Sequence, residues 1–136
     1  MTFHIVYEAG GVAYTEQALY FHHRRSDSIN AAGRFYREKL VTLQFLKERI
    51  AYFEQKEETT LVEYSFSAYG LELLNCYIKT KKYLKDRELA KEIKGEYRRH
   101  YKRLKKISVI SRRAKILFYV CYFIPETWKL LMERRK

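Results

Sequence analysis

From Tyr36 to Phe53 the apolar residues Tyr36, Leu40, Leu43, Leu46, Ile50 and Phe53 return at intervals of 4, 3, 3, 4 and 3. That spacing keeps one face of a helix apolar for about five turns. Two further rows follow, Leu61, Tyr64, Ala68, Leu71, Leu74 and Ile78, then Leu89, Ile93, Tyr97, Tyr101 and Leu104. Three rows of this length predict long helices that bury one another as an antiparallel bundle. Little interrupts them. The 136 residues include one proline, Pro125, and five glycines, too few for an all-β sandwich with its many turns. With 47% of residues apolar, a folded chain is expected rather than disorder over the whole length.

The polar residues between the rows mark helix ends. Asn30 is the expected N-cap of the first helix. Gln55-Lys56-Glu57-Glu58 closes that helix. Thr60-Leu61-Val62-Glu63 then has the capping-box pattern, a hydroxyl for the third amide and a carboxylate returning to the cap. Asp86 caps the third row and Ser111 a fourth helix. The fourth is different in kind. Residues 116–124 are nine apolar residues in sequence, which cover every side of a helix. Pro125 breaks the run, and Trp128, Leu130, Leu131 and Met132 resume it as a short amphipathic tail. Nine helical residues extend about 13 Å. Such a run dips into one leaflet without crossing it, and no segment approaches the ~20 apolar residues of a spanning helix. It reads either as the buried core helix of the bundle or as an interfacial anchor.

Charge is divided along the chain. Residues 1–80 carry 9 Lys and Arg against 10 Asp and Glu, and residues 81–136 carry 19 against 6. The net charge of +12 is thus owed to the last 56 residues. A one-sided excess points to a polyanionic partner, either nucleic acid or an anionic membrane surface. Arg98, Arg99, Lys102, Arg103, Lys105 and Lys106 cluster with Tyr97 and Tyr101, a composition that suits both partners as well as a solvated helix face. The neighbouring apolar run favours the membrane. Arg112, Arg113 and Lys115 beside Phe118, Tyr119, Tyr122 and Trp128 have the basic and aromatic character of an interfacial segment. Nucleic acid is the weaker expectation, with no helix-turn-helix glycine, zinc spacing or RNA-binding aromatic motif.

The first thirty residues follow another pattern. Residues 1–9 read as the end of a helix with Phe3, Val6 and Tyr7 on one side, stopped by Gly10-Gly11. Val12-Ala13-Tyr14 and Ala18-Leu19-Tyr20-Phe21 read as the strands of a β-hairpin, followed by the polar loop Arg24-Arg25-Ser26-Asp27-Ser28. No basic stretch leads into an apolar one, so no signal peptide is expected. The fold class is therefore mainly α: a short N-terminal helix and hairpin over 1–30, a bundle of long helices over 31–110, and an apolar, amphipathic C-terminal segment over 111–136.

Leu19-Tyr20-Phe21-His22-His23-Arg24-Arg25-Ser26-Asp27-Ser28-Ile29 resembles the segment that closes the catalytic domain of bacterial family 2 glycosyltransferases of the GT-A fold. There a tyrosine-rich strand runs into a loop with Arg or His, two variable residues and Ser-Ile. The helix, glycine turn and strand over residues 2–14 are similar to what precedes that strand in the family. The likeness is close over 1–30 and architectural over 31–136. It implies a C-terminal portion of an enzyme that moves a sugar from a nucleotide-sugar donor to a glycan or lipid-linked acceptor. By the resemblance His23, Arg25 and Ser28 would face the donor diphosphate. A guanidinium forks well onto phosphate oxygens. Some relatives carry a metal-binding His where this chain has Arg25, which cannot bind the metal.

The family's acidic catalytic motif, its Asp-x-Asp metal site and its nucleotide-binding units would all lie upstream of Met1. The chain is therefore expected to be inactive alone, to work with an upstream catalytic polypeptide, and to hold no cofactor itself, while the intact enzyme would use Mg or Mn. The resemblance places it in the cytoplasm, at the inner face of the plasma membrane. The alternative reading is a small basic helical module that binds nucleic acid or, through its 13 tyrosines, another protein. Within the chain no residues have metal-ligand or nucleophile spacing: His22 and His23 would point to opposite faces of a strand, and His4 and His100 stand apart from carboxylates and thiols at ligand spacing. Cys76 and Cys121 sit in apolar runs, as buried free thiols do.

Overall fold

The computed structural model describes residues 2–11, 35 and 37–128. The chain divides into two compact units, Met1–Arg34 and Phe35–Lys136, each considered by itself. Among the described residues the structure is mainly helical and contains no strand. The expected hairpin over 12–21, the loop after it and the Asn30 cap lie outside the described residues.

In the first unit, α1 spans Thr2–Glu8. It ends as expected: Gly10 takes a left-handed φ of +66°, which glycine adopts without steric cost, and its N–H donates to the Tyr7 carbonyl at 3.2 Å. Phe3 and Tyr7 are half-buried, whereas Val6 is exposed.

Among its described residues the second unit holds four α-helices. A 3-10 turn over Arg37–Leu40 leads into α2, Val41–Gln55, whose N-cap Leu40 makes no side-chain cap bond. α3 covers Thr59–Lys79 and continues through a π-helical turn, Thr80–Leu84. α4 covers Arg87–Leu104 and α5 covers Arg112–Phe123. α3 is the centre of the bundle, with α2 on one side and α4 on the other, and α5 packs on α4.

That position explains why the inward row of α3 differs from the expected one. A helix covered from two sides buries a broad sector. It holds Val62, Phe66, Tyr69, Leu73, Leu74, Cys76 and Tyr77, and of the expected row only Leu74 lies fully inside. Tyr64 is 55% exposed. The capping box fails as well. Glu57 turns left-handed (φ 57°), and the Glu58 N–H reaches back to the Phe53 carbonyl at 3.0 Å. This closing turn makes Glu58 the N-cap of α3, with no side-chain cap bond, and places Thr60 inside the helix. The Glu63 carboxylate instead accepts from Ser108 N at 2.8 Å, Ser108 Oγ at 2.6 Å and Val109 N at 3.1 Å. It thereby satisfies the amides of the α4–α5 connection, and the Ser108 hydroxyl holds its pKa below the ordinary carboxylate value.

The other two caps form as expected. Asp86 accepts from Leu89 N at 3.0 Å, and Ser111 Oγ accepts from Ala114 N at 3.3 Å. On α4 the buried residues are Ala90, Ile93, Tyr97 and Leu104, with Leu89 and Tyr101 only half-covered. Cys76 and Cys121 are buried free thiols, and burial pushes Cys76 up to about 12.

α3 packs tightly on α4 at Gly70, where an added Cβ would stand 2.7 Å from Leu104 Cδ2, a side chain with no exposed surface. A Cβ on Gly95 would meet nothing within 4 Å. The two glycines should therefore respond oppositely to alanine. In urea unfolding, Gly70→Ala should cost about 1–3 kcal/mol through overpacking. Gly95→Ala should add about 0.5–1 kcal/mol, since glycine is a poor interior helix residue. Equal responses would contradict this packing.

Candidate functional site

α5 is placed by what lies behind it. The Tyr97 phenol is buried and donates to the Phe118 carbonyl at 2.8 Å, and burial raises its pKa. Phe118 is 2% exposed and Cys121 fully covered. The chain beyond α5 folds back on α3. Trp128 Nε1 donates to Asn75 Oδ1 at 2.6 Å, Tyr77 OH donates to Glu126 Oε1 at 2.5 Å, and the Lys81 ammonium lies 2.8 Å from the same oxygen. Pro125 is buried and Trp128 is 8% exposed.

With Phe118 and Cys121 turned inward, the other side of the helix faces out. Ile116 is 63% exposed and Phe123 55%, and Tyr119 and Val120 lie exposed between them. These four follow the i, i+3, i+4, i+7 pattern of one helix face. Arg112 heads the same stripe, with Arg113 at its edge, and both are exposed. Ile124 adds a fifth exposed apolar side chain at the C-terminal end. Tyr122 is half-buried at the border with α4. Its ring lies 4.7 Å from that of Tyr101, and the Arg98 guanidinium sits over it at 5.6 Å. Arg98 Nε also donates to the Tyr122 carbonyl at 3.3 Å. The result is an apolar, tyrosine-bearing strip with guanidinium groups along its margins.

No family model, curated protein or solved structure matches the chain. The site is therefore argued from its residues alone.

The structure divides the expected surface residues. Arg112 and Arg113 are exposed, Lys115 is half-exposed and Tyr122 half-buried. Phe118 and Trp128 are corrections: both belong to the core, where Phe118 packs behind α5 and Trp128 has a hydrogen bond to Asn75. Tyr119, expected at the interface, is exposed, and the residues missed were Ile116, Val120 and Phe123. Their spacing from Arg112 was the available signal, and the unbroken apolar run concealed it. Tyr97 is likewise no stacking platform for a base, because its ring is inside. His23, Arg25 and Ser28, expected near a donor diphosphate, lie outside the described residues. No group of three His, Cys, Asp or Glu able to hold a metal occurs among the described residues. No described helix is long and apolar enough to cross a membrane.

Two variants test how α5 is held. Tyr97→Phe should lose about 1 kcal/mol in chemical unfolding, the net value of one buried hydrogen bond. The second concerns Glu126. Burial pushes its pKa up, but Lys81 and Tyr77 outweigh that and hold it at about 2, against 4.5 for a free carboxyl. A depressed folded pKa stabilises above the unfolded value, and that contribution fades as pH falls from about 4.5 toward 2. Glu126→Gln should therefore be less stable at pH 7, by under about 1 kcal/mol because the pair is half-exposed. Melting curves of the two proteins should converge at acid pH. A gap that is constant across the pH range would contradict the ion pair.

Proposed function

We propose that residues 35–136 form a docking module that lays the outer face of α5 on an anionic membrane surface. The observation that carries this reading is the exposed stripe of Ile116, Tyr119, Val120 and Phe123, headed by Arg112 and bordered by Arg98, Arg113 and Lys115. Contiguous exposed apolar surface with a basic margin is the composition of an interfacial helix. A helix lying flat would sink its apolar side chains toward the acyl boundary and keep its guanidinium groups among the phosphates. Each Arg or Lys near anionic lipid contributes about 1 kcal/mol. Electrostatics and apolar burial act on the same side of the molecule, which is what peripheral attachment requires. The surface we propose is the inner face of the plasma membrane.

The glycosyltransferase resemblance supplies a proposal for what the module serves. The module would hold a sugar-transfer enzyme, completed by an upstream catalytic polypeptide, beside its glycan or lipid-linked acceptor. The support is limited to α1 and its Gly10 turn, which have the form the resemblance implies.

Vesicle co-sedimentation tests the docking reading. The chain should pellet with vesicles containing phosphatidylserine, less so at high salt, and weakly with phosphatidylcholine alone. Ile116→Ser with Phe123→Ser removes two exposed side chains and should weaken pelleting by more than about tenfold without loss of fold. Unchanged pelleting of the double variant would overturn the reading. A salt-sensitive shift of duplex DNA without vesicle binding would favour nucleic acid instead.

A further inference from the structure

Between Glu96 and Glu126 the chain carries nine Lys and Arg and no Asp or Glu. That interval holds the end of α4, the connection and all of α5. The two helices run antiparallel. Arg98 reaches the Tyr122 carbonyl, whereas the Tyr101 ring, further along α4, lies 6.5 Å from that of Tyr119, earlier on α5. Tyr101 and Tyr122 are 4.7 Å apart, so the three tyrosines make a seam of rings between the helices.

Cations border this seam on both edges. On α4, Arg98, Tyr101, Lys102 and Lys105 recur at i, i+3, i+4 and i+7, which puts the three cations on the flank that holds Tyr101. On α5, Arg112, Lys115, Tyr119 and Tyr122 recur at intervals of 3, 4 and 3 and share the facing flank.

Little opposes these cations. Arg98, Lys102, Lys105 and Arg112 are exposed and Lys115 is half-exposed. Among the described residues none of the five is ion-paired. Glu63, the carboxylate that acts on Lys115, is taken up by Ser108 and Val109. Glu96 is paired with Lys47 on α2, and Glu126 with Lys81 beyond α3. Arg98 gives one N–H to the Tyr122 carbonyl and keeps the other donors of its fork.

An excess of this kind decides between anionic lipids. A phosphatidylserine has a single net negative charge, so meeting five cations means gathering several lipids against their mixing entropy. One headgroup with several phosphate monoesters brings the same charge in a single molecule. Each monoester carries about −1.5 to −2 at neutral pH and three acceptor oxygens on which guanidinium forks and ammonium groups converge. A phosphodiester has less charge and fewer free oxygens. We infer that the α4–α5 seam binds a membrane lipid headgroup carrying several phosphate monoesters, held by Arg98, Lys102 and Lys105 on one edge and by Arg112 and Lys115 on the other. The inference deepens the docking reading and rests on it for the membrane: with Ile116, Val120 and Phe123 sunk toward the acyl boundary, the seam lies at the level of the phosphates.

The test has a membrane arm and a soluble arm, both on the full chain. Vesicles with phosphatidylinositol bisphosphate should hold the chain at least about tenfold more tightly than phosphatidylserine vesicles of equal surface charge. In solution, inositol trisphosphate should bind with a Kd below about 1 mM and shift the Tyr101 and Tyr122 ring signals in proton NMR. A hexanucleotide of similar charge, all of it phosphodiester, should bind at least about tenfold more weakly. Lys102→Gln with Lys105→Gln should weaken inositol trisphosphate at least about tenfold, at about fivefold for each cation. Lys82→Gln with Lys85→Asn removes equal charge at the opposite end of α4 and should change affinity by less than about twofold. Equal pelleting on the two kinds of vesicle, equal binding of the hexanucleotide, or equal weakening by the two double variants would each overturn the inference. The Ile116→Ser, Phe123→Ser protein should keep full affinity for inositol trisphosphate. Failure of docking is thus read in the pelleting of that protein, and failure of the headgroup site in the soluble arm.

Discussion

The direction in which α5 faces depends on one buried hydrogen bond. The Tyr97 phenol needs a partner once its ring is inside, because an unpaired hydroxyl in the core costs more than the bond returns. The Phe118 carbonyl supplies it without giving up its place in the helix, since a carbonyl has two lone pairs. This contact fixes the rotation of α5 about its axis. Phe118 and Cys121 then face the core, and the opposite row must face outward. A rotation of one residue position would expose Phe118 and leave the phenol without its acceptor. The exposed apolar stripe is thus a consequence of a polar requirement on the neighbouring helix.

The latch beyond α5 serves the same end. Pro125 ends the helix, and the chain turns so that Trp128 meets Asn75 and Glu126 meets Tyr77 and Lys81. Both ends of α5 are therefore held: the first by the Ser111 cap and the Glu63 bridge to Ser108 and Val109, the second by these contacts with α3. A helix fastened at both ends and along its inner side has little freedom to roll its exposed apolar residues under cover. That constraint favours an intermolecular role for the outer face.

Local chemistry was legible in the sequence, and shared surfaces were not. Asp86, Ser111 and Gly10 act as their residue types and positions suggested, because a cap or a left-handed turn is decided within a few residues. Ile93, Tyr97 and Leu104 were legible for a related reason: α4 has a strongly polar outer side, so its inner row stands out. α3 has no such contrast. It touches helices on two sides, and its true inward positions were displaced from the row chosen by periodicity. Thr60 and Glu63 had the right spacing for a box, but the left-handed turn at Glu57 started the helix earlier and the α4–α5 connection claimed the carboxylate. In residues 116–124 every position is apolar, so periodicity carried no information about which side is core. Contacts such as that of Tyr97 with the Phe118 carbonyl decide it, and a contact between residues 21 positions apart is invisible to local pattern.

The Lys47–Glu96 pair at 2.6 Å and the Arg103–Glu54 pair at 2.5 Å join α2 to α4 seven residues apart on each helix, with the order of charge reversed, and this has a consequence for how the helices find their alignment. Were α2 to slide one heptad along α4 in one direction, Lys47 would stand opposite Arg103; in the other, Glu54 would stand opposite Glu96. Either displacement sets like charges against each other where the correct alignment sets opposite ones. Had both cations been on α2, a slipped arrangement would still have kept one attractive pair. The alternation therefore acts as a vernier that favours the observed setting of α2 against α4 over a slip of one heptad.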